Sequence, residues 1–144
     1  MDIRKLTDTF FVSPQIAAED VPAIAALGVR RIICNRPDAE VPPSHQAEAI
    51  RAAAEAAGLG FDALPLTHQT MTPHNVARQV ELADAAEGPV LAYCASGTRS
   101  TVAWALGSAG AVPPDALIGA ARDAGYDLAN LRPTLEAAAA ASKG

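Results

Sequence analysis

Hydrophobic positions along the chain alternate between short continuous runs and the wider spacing of helices. Four short runs bounded by Gly, Pro or polar residues predict β-strands: "TFFVSP", "VRRIIC", "LGFDALPL" and "PVLAYC". Three segments between them predict helices: "AAEDVPAIAALG", "SHQAEAIRAAAEAAG" and "PHNVARQVELADAAEG". Ser44 is the predicted N-cap of the second helix, and Thr72, followed by Pro73, is that of the third. Gly28 and Gly58 are predicted to end the first two helices.

The remainder of the chain is predicted to be helical, ending in a frayed tail at "ASKG". Its helical segments are "STVAWALGSAG", "PPDALIGAARDAG" and "LRPTLEAAAAA". Strands that alternate with helices predict an α/β fold, in which a mostly parallel sheet is flanked by helices. We expect a single domain over residues 1–144. Ligands of such sheets bind beyond the carboxyl ends of the strands, so residues 35–40, 67–72 and the loop at Cys94 should converge.

Composition narrows the functional classes. The net charge of −5 and a pI near 5.0, without a basic run, argue against a nucleic-acid partner. No apolar stretch reaches the length of a membrane span, and the first residues lack the apolar core of a signal peptide, so a cytoplasmic location is expected. The two cysteines, Cys34 and Cys94, form neither a disulfide framework nor a metal motif. We predict no metal and no cofactor.

The loop "YCASGTRS" is the strongest chemical signal in the chain. Cys94 follows a predicted strand, and a tight turn from strand to helix directs free N–H groups inward, which makes an anion site. The helix N-terminus and Arg99 should stabilise a Cys94 thiolate, and the planar guanidinium of Arg99 could also bind an oxyanion. The predicted anion-binding loop consists of Ala95, Ser96, Gly97, Thr98 and Ser100.

This loop resembles the active-site loops of cysteine-dependent phosphatases and rhodaneses. The stretch "FFVSPQIAAEDVPAIAALGVRRIICNRPDAE" resembles the opening of dual-specificity phosphatases. It resembles still more closely the phosphatase-like domain of bacterial beta-lactamase-hydrolase-like proteins, a family also labelled as sulfur transferases. The resemblance extends over most of the chain. It implies a cysteine-dependent phosphatase-like fold, with Cys94 as the nucleophile and Arg99 as the residue that binds the substrate oxyanion.

The sequence departs from the working phosphatase pattern in three ways. Four residues, rather than five, separate Cys94 from Arg99, which is the rhodanese spacing, and Tyr93 stands where phosphatases usually have histidine. The stretch "LTHQTMTPHN", where those enzymes carry an acidic residue as general acid, contains no Asp or Glu. The candidate replacements for this general acid are His68 and Asp38, the latter from the loop "NRPDAE". Sulfur transfer needs less proton transfer, because thiolates and sulfite leave as anions.

Three functions remain open at this point. The favoured one is a sulfurtransferase that carries a persulfide on Cys94, supplied by thiosulfate, glutathione persulfide or a persulfide-metabolising partner enzyme. The second is a phosphatase with a phosphocysteine intermediate, and the third is a non-catalytic module that senses anions. All three take a small anionic or sulfur-containing ligand and involve no membrane.

Three residues at the end of the second predicted strand complete the candidate site. Asn35 and Arg36 are predicted to line the pocket. The resemblance implies that Cys34 lies on the strand beside the one that carries Cys94. Cys34 is therefore either a structural thiol or a resolving cysteine for an oxidised Cys94.

Overall fold

The computed structural model describes residues 1–143, with side chains up to Ala141, and consists of five strands and six helices. The strands are β1 (Arg4–Lys5), β2 (Phe10–Ser13), β3 (Arg31–Cys34), β4 (Gly60–Ala63) and β5 (Val90–Tyr93). The helices are α1 (Val21–Ala26), α2 (Ala47–Ala56), α3 (Pro73–Ala85), α4 (Thr98–Ser108), α5 (Pro114–Asp123) and α6 (Arg132–Lys143). Gly144, the last residue of the predicted tail, lies outside the described residues. No helix within the described chain is long and apolar enough to span a membrane.

The strands form one sheet in the order β1-β2-β5-β3-β4. Strands β2, β5, β3 and β4 are parallel, and β1 alone runs antiparallel along the edge. The predicted mostly parallel α/β fold is therefore confirmed. Sequence analysis did not predict β1, because its two residues are too few to show an alternating pattern.

Both faces of the sheet are covered, which explains why the central strands are apolar at nearly every position. Ile32 and Leu91, paired between β3 and β5, pack with residues of α1 and α2. Their neighbours Ile33 and Ala92 pack on the opposite face with residues of α3 to α6. Successive side chains of a strand alternate between the two faces, so each central strand contributes to two cores.

Of the two predicted N-caps, Ser44 is wrong and Thr72 is confirmed. Helix α2 begins at Ala47 rather than after Ser44. Residues 43–45 form a separate short 3-10 turn, which begins at the second of two adjacent prolines. The carboxylate of Asp38 takes the capping role, since its Oδ1 accepts a hydrogen bond from the Ala47 N–H at 2.8 Å. At the start of α3, the Thr72 side chain accepts a hydrogen bond from the Asn75 N–H, as predicted.

Candidate active site

The loop between β5 and α4 folds tightly around the sulfur of Cys94. Cys94 is fully buried, at 0% exposure, and its Sγ accepts a hydrogen bond from the Gly97 N–H at 3.1 Å. Gly97 has a φ of +98° and is the N-cap that immediately precedes α4, so the chain turns there in a conformation that favours glycine. The thiol therefore lies inside the turn that immediately precedes a helix.

Four backbone N–H groups of this loop have no acceptor within the described chain: those of Ala95, Ser96, Arg99 and Ser100. The last two belong to the first turn of α4, where the helix itself cannot supply an acceptor. Its first backbone hydrogen bond joins the Thr101 N–H to the Gly97 carbonyl oxygen at 3.0 Å. The loop thus supplies a set of free donors next to the sulfur, which is the arrangement expected of an anion site.

Contacts from distant parts of the chain fix the loop in place. The Gln15 N–H donates to the Ala95 carbonyl oxygen at 3.2 Å, and the Tyr126 hydroxyl donates to the Ser96 carbonyl oxygen at 3.0 Å. A side chain at Gly97 would overlap the Tyr126 hydroxyl. Two carbonyl oxygens of the loop are therefore fixed by segments distant in the sequence.

A buried polar network connects the loop to the rest of the sheet. The Ser100 hydroxyl donates to Asn35 Oδ1 at 2.8 Å, and Asn35 Nδ2 donates to Gln79 Oε1 at 2.8 Å and to the Leu64 carbonyl oxygen at 3.0 Å. Asn35, Gln79 and Ser100 are almost completely buried. The buried side chains of Asn35 and Ser100 thus fix the loop to the sheet. Asn35 was predicted to line the pocket, but it is not among the residues that line the cavity beside the loop.

Arg99 forms a two-armed ion pair with Glu40. Its Nη1 and Nη2 donate to the two carboxylate oxygens at 2.9 Å and 2.7 Å, and Nη1 also donates to the Leu66 carbonyl oxygen at 2.9 Å. The hydrogen bond with Glu40 is the main cause that raises the pKa of Arg99, and a smaller contribution comes from nearby Cys94. The same bond holds the pKa of Glu40 below its ordinary value, so this carboxylate is ionised at neutral pH.

Arg36 contacts the pair of Glu40 and Arg99, whereas Asp38 contacts the start of α2. Arg36 Nε donates to Glu40 Oε1 at 3.2 Å, and Asp38 caps α2 as described above. Neither residue is among those that line the cavity beside the loop. Their placement gives them positioning roles and does not favour Asp38 as a proton donor to a substrate.

A cavity of about 660 Å³ lies against the loop. Its lining combines loop residues, one ion pair and apolar side chains: Glu40, Thr67, His68, Gln69, Met71, Ala95, Ser96, Thr98, Arg99, Val102 and Leu131. The predicted convergence of the three loops is therefore seen, and His68 is in position to contact a ligand. Glu40 is the one carboxylate that lines this cavity within the described chain.

Cys34 and Tyr93 are paired residues on neighbouring parallel strands, as the resemblance implied for these two strands. Both side chains pack on the face that carries α1 and α2. The Cys34 thiol donates to the Arg36 carbonyl oxygen at 3.3 Å, and burial raises the pKa of this thiol. Burial likewise raises the pKa of Tyr93.

Four residues that contribute to this site were not singled out from the sequence, namely Gln15, Glu40, Leu66 and Tyr126. Glu40 was within reach, because it lies four residues after Arg36 in a loop predicted to converge on Cys94. The other three act through a backbone N–H, a backbone carbonyl and a hydroxyl of distant segments, and no local pattern marks such contacts.

Comparison with known proteins identifies the family of the chain. The family model of the beta-lactamase hydrolase-like protein, phosphatase-like domain, matches residues 2–111. A beta-lactamase hydrolase-like protein of Agrobacterium fabrum is 34% identical over 110 residues, which make up 76% of this chain and 25% of that protein. The chain thus spans about a quarter of the length of this curated relative.

Solved structures support the same relationship. A crystal structure of a candidate phosphatase from Neisseria meningitidis has a TM-score of 0.85 and 39% identity, and the match covers 96% of this chain and 99% of that one. A cysteine-to-serine variant of TpbA from Pseudomonas aeruginosa, in complex with phosphotyrosine, has a TM-score of 0.60 at 21% identity, which shows the fold alone. That match covers 93% of this chain and 90% of the other. The chain belongs to the phosphatase-like domain family of the beta-lactamase hydrolase-like proteins, and its fold is that of the cysteine-dependent phosphatases.

Proposed function

We propose that this domain is a thiol sulfurtransferase that carries sulfur as a persulfide on Cys94. The observation that carries the proposal is the set of four N–H groups, without an acceptor in the described chain, in the loop that follows the buried Cys94 thiol, a loop with the rhodanese spacing between Cys94 and Arg99. The free N–H groups would stabilise negative charge on sulfur as it moves on and off Cys94.

The reaction proceeds in two displacements. The Cys94 thiolate attacks the outer sulfur of a donor such as thiosulfate or an organic persulfide, the S–S bond of the donor breaks, and sulfite or a thiolate leaves. An acceptor thiolate or cyanide then attacks the outer sulfur of the Cys94 persulfide and restores the thiolate. The first step oxidises Cys94 to the persulfide level at the expense of the donor, and the second step returns it to the thiolate, so the complete cycle leaves the oxidation state of the protein unchanged.

The cavity supports sulfur transfer over phosphate-ester hydrolysis because it offers no carboxylic acid for a leaving alcohol. Arg99 keeps Glu40 ionised, so Glu40 is a poor proton donor, and Asp38 caps a helix. The spacing between Cys94 and Arg99 supports the same choice, because a loop with one residue fewer than in phosphatases is smaller. A persulfide adds one atom to the buried sulfur of Cys94, whereas a phosphocysteine adds a phosphorus and three oxygens.

Phosphate-ester hydrolysis is the second candidate, and the position of His68 is the observation that favours it. His68 lines the cavity and could protonate a leaving oxygen in place of the missing acid. The fold is shared with cysteine-dependent phosphatases, and a neighbour of this fold is described in complex with phosphotyrosine.

Parallel assays of the purified protein would separate these functions. We expect turnover with thiosulfate plus cyanide or with glutathione persulfide, and no turnover with an aryl phosphate. Mass analysis of the peptide that contains Cys94 should show one added sulfur after incubation with the donor alone. Hydrolysis of the aryl phosphate, together with a phosphoryl group added to the peptide that contains Cys94, would establish the phosphatase instead. Binding of anions without turnover of any of these substrates would establish the sensing module.

The longer relatives contain further sequence in which an enzyme that supplies or consumes the sulfur would be encoded. Relatives of this family are about four times as long as the matched segment. We propose that a persulfide-metabolising enzyme supplies or consumes the sulfur that Cys94 carries, because a carried persulfide needs both a source and an acceptor.

A further inference from the structure

The carboxylate of Glu40 occupies the part of Arg99 that a substrate oxyanion would use. Both Nη atoms of Arg99 donate to Glu40, at 2.9 Å and 2.7 Å, and Nη1 has a further acceptor in the Leu66 carbonyl oxygen. Two parallel N–H donors are what guanidinium uses to bind phosphate or sulfate. A doubly charged oxyanion that binds both Nη atoms of Arg99 must therefore displace Glu40, and otherwise it lies beside the Glu40 carboxylate.

Glu40 has contacts that hold it at the cavity wall in addition to its pair with Arg99. Arg36 donates from Nε to the Glu40 carboxylate at 3.2 Å and from Nη2 to the Glu40 carbonyl oxygen at 3.4 Å. The Glu40 N–H in turn donates to the Pro37 carbonyl oxygen at 3.1 Å, within the short turn that carries Glu40. Side chain and backbone are thus fixed independently of Arg99.

The charges on the cavity wall consequently cancel. Glu40 and Arg99 are its oppositely charged side chains and bind each other, and His68 is the remaining titratable group that lines it. The donors left for a ligand are the neutral N–H groups of the loop. Those groups suit one negative charge spread over sulfur, whereas a second negative charge would meet the carboxylate of Glu40.

We propose that Glu40 is a specificity-determining residue, which makes the pocket favour a sulfur donor of low charge, such as an organic persulfide, over thiosulfate and phosphate esters. The preference for an organic persulfide rests on the proposed sulfurtransferase function. The preference for ligands of low charge concerns binding alone and can be measured without turnover. In the favoured step, the Cys94 thiolate attacks the outer sulfur of a protonated persulfide. The S–S bond breaks, the organic thiolate leaves, and the proton remains on the transferred sulfur.

Two inert oxyanions test the selectivity without turnover. Sulfate carries two charges and nitrate carries one, and calorimetric titration at constant ionic strength measures the affinity of each. Glu40→Gln should tighten sulfate binding by on the order of tenfold or more, which is about 1.4 kcal/mol. Nitrate binding should change by less than about threefold, because a single charge is repelled by the Glu40 carboxylate about half as strongly as the double charge of sulfate.

The control is Glu48→Gln, which removes the same charge and also breaks a pair with an arginine, Arg51, on α2. It should leave both affinities unchanged. Glu40→Asp keeps the charge and should bind sulfate as weakly as the unchanged protein. Sulfate binding that is unchanged or weaker in Glu40→Gln would overturn the proposal and show that Glu40 merely supports Arg99.

A measurement on the unchanged protein covers the case in which Glu40→Gln does not fold. Sulfate should then bind no more tightly than nitrate, and a clear preference for sulfate would overturn the proposal. For turnover, Glu40→Gln should raise kcat/KM for thiosulfate relative to that for glutathione persulfide. Absence of sulfur transfer with every donor would refute the proposed function but leave the result with the two oxyanions standing.

Discussion

Cys94 is the residue on which every proposed reaction depends. Replacement of Cys94 by Ser should abolish sulfur transfer, because a serine hydroxyl does not ionise near neutral pH and forms no persulfide. Serine can accept the Gly97 N–H in place of sulfur, so the free energy of unfolding should change little. Donor assays and thermal denaturation check both points. Full activity of the serine variant would remove Cys94 from the mechanism.

Arg99 should not tolerate replacement by lysine. Lysine keeps the charge but cannot bind both oxygens of Glu40 and the Leu66 carbonyl oxygen with one planar group. Although Arg99 binds Glu40, its charge lies close to Cys94, and lysine would not hold a charge in the same place. We expect kcat to fall by on the order of tenfold to a thousandfold, the size of effect seen when an electrostatic group is removed from an active site. A steady-state rate equal to that of the unchanged protein would show that the guanidinium plays no part in the reaction.

Gly97 joins a strand to a helix, and its substitution tests how that junction works. Gly97→Ala should destabilise the protein by about 1–3 kcal/mol, because alanine resists a positive φ. It should also displace the Tyr126 hydroxyl. Gly28→Ala is the matched control, since Gly28 has a similar φ of +95° with open space around it. Denaturant unfolding should show a larger loss at Gly97, and equal losses would mean that the contact with Tyr126 contributes nothing.

The neighbouring strands β3 and β5 bring Cys34 close to Cys94. The spacing between strands and the rise per residue put their α-carbons roughly 6 Å apart, within the span of a disulfide. Because Cys34 is paired with Tyr93 and side chains alternate between the faces of the sheet, a bridge also requires the loop at Cys94 to turn the thiol towards Cys34. We predict that mild peroxide oxidises Cys94 to a sulfenic acid, which Cys34 captures with loss of water in a reversible bridge. Peptide mass mapping after peroxide treatment would detect the bridged peptide, and its absence would leave Cys34 as a structural thiol. The raised pKa of Cys34 should make the capture slow at neutral pH.

The elements were predictable from the sequence where a local pattern determines them. The apolar run of β5 predicts a central buried strand, and Thr72 followed by Pro73 predicts the start of α3, because both signals arise from adjacent residues. Ser44 misled the prediction because the capping oxygen came from Asp38, nine positions before Ala47. In the site, the motif predicted Cys94 and Arg99. The partner of Arg99, Glu40, lies 59 positions away, and only the fold brings them together.

For the molecule as a whole, the ion pair between Glu40 and Arg99 predicts a dependence of stability on pH. The folded state lowers the pKa of Glu40, so this contribution is fully present above the unfolded pKa, near the ordinary value of 4.5. It is lost as the pH falls through the lower folded pKa. Thermal denaturation between neutral and acidic pH should therefore show a smaller acid-induced loss in Glu40→Gln than in the unchanged protein. Identical pH profiles would contradict this linkage.

The hydrogen bond from Tyr126 to the Ser96 carbonyl oxygen has a consequence for how relatives of this domain can diverge. Tyr126 lies beyond residues 2–111, the part that the family model matches, yet it fixes a carbonyl of the loop around the nucleophile. Substitutions in the segment that carries Tyr126 can therefore alter the shape of the reactive loop while every residue of the loop stays the same. Two relatives with identical loops could then differ in rate or in preferred donor, and the origin of the difference would lie outside the signature by which they are recognised.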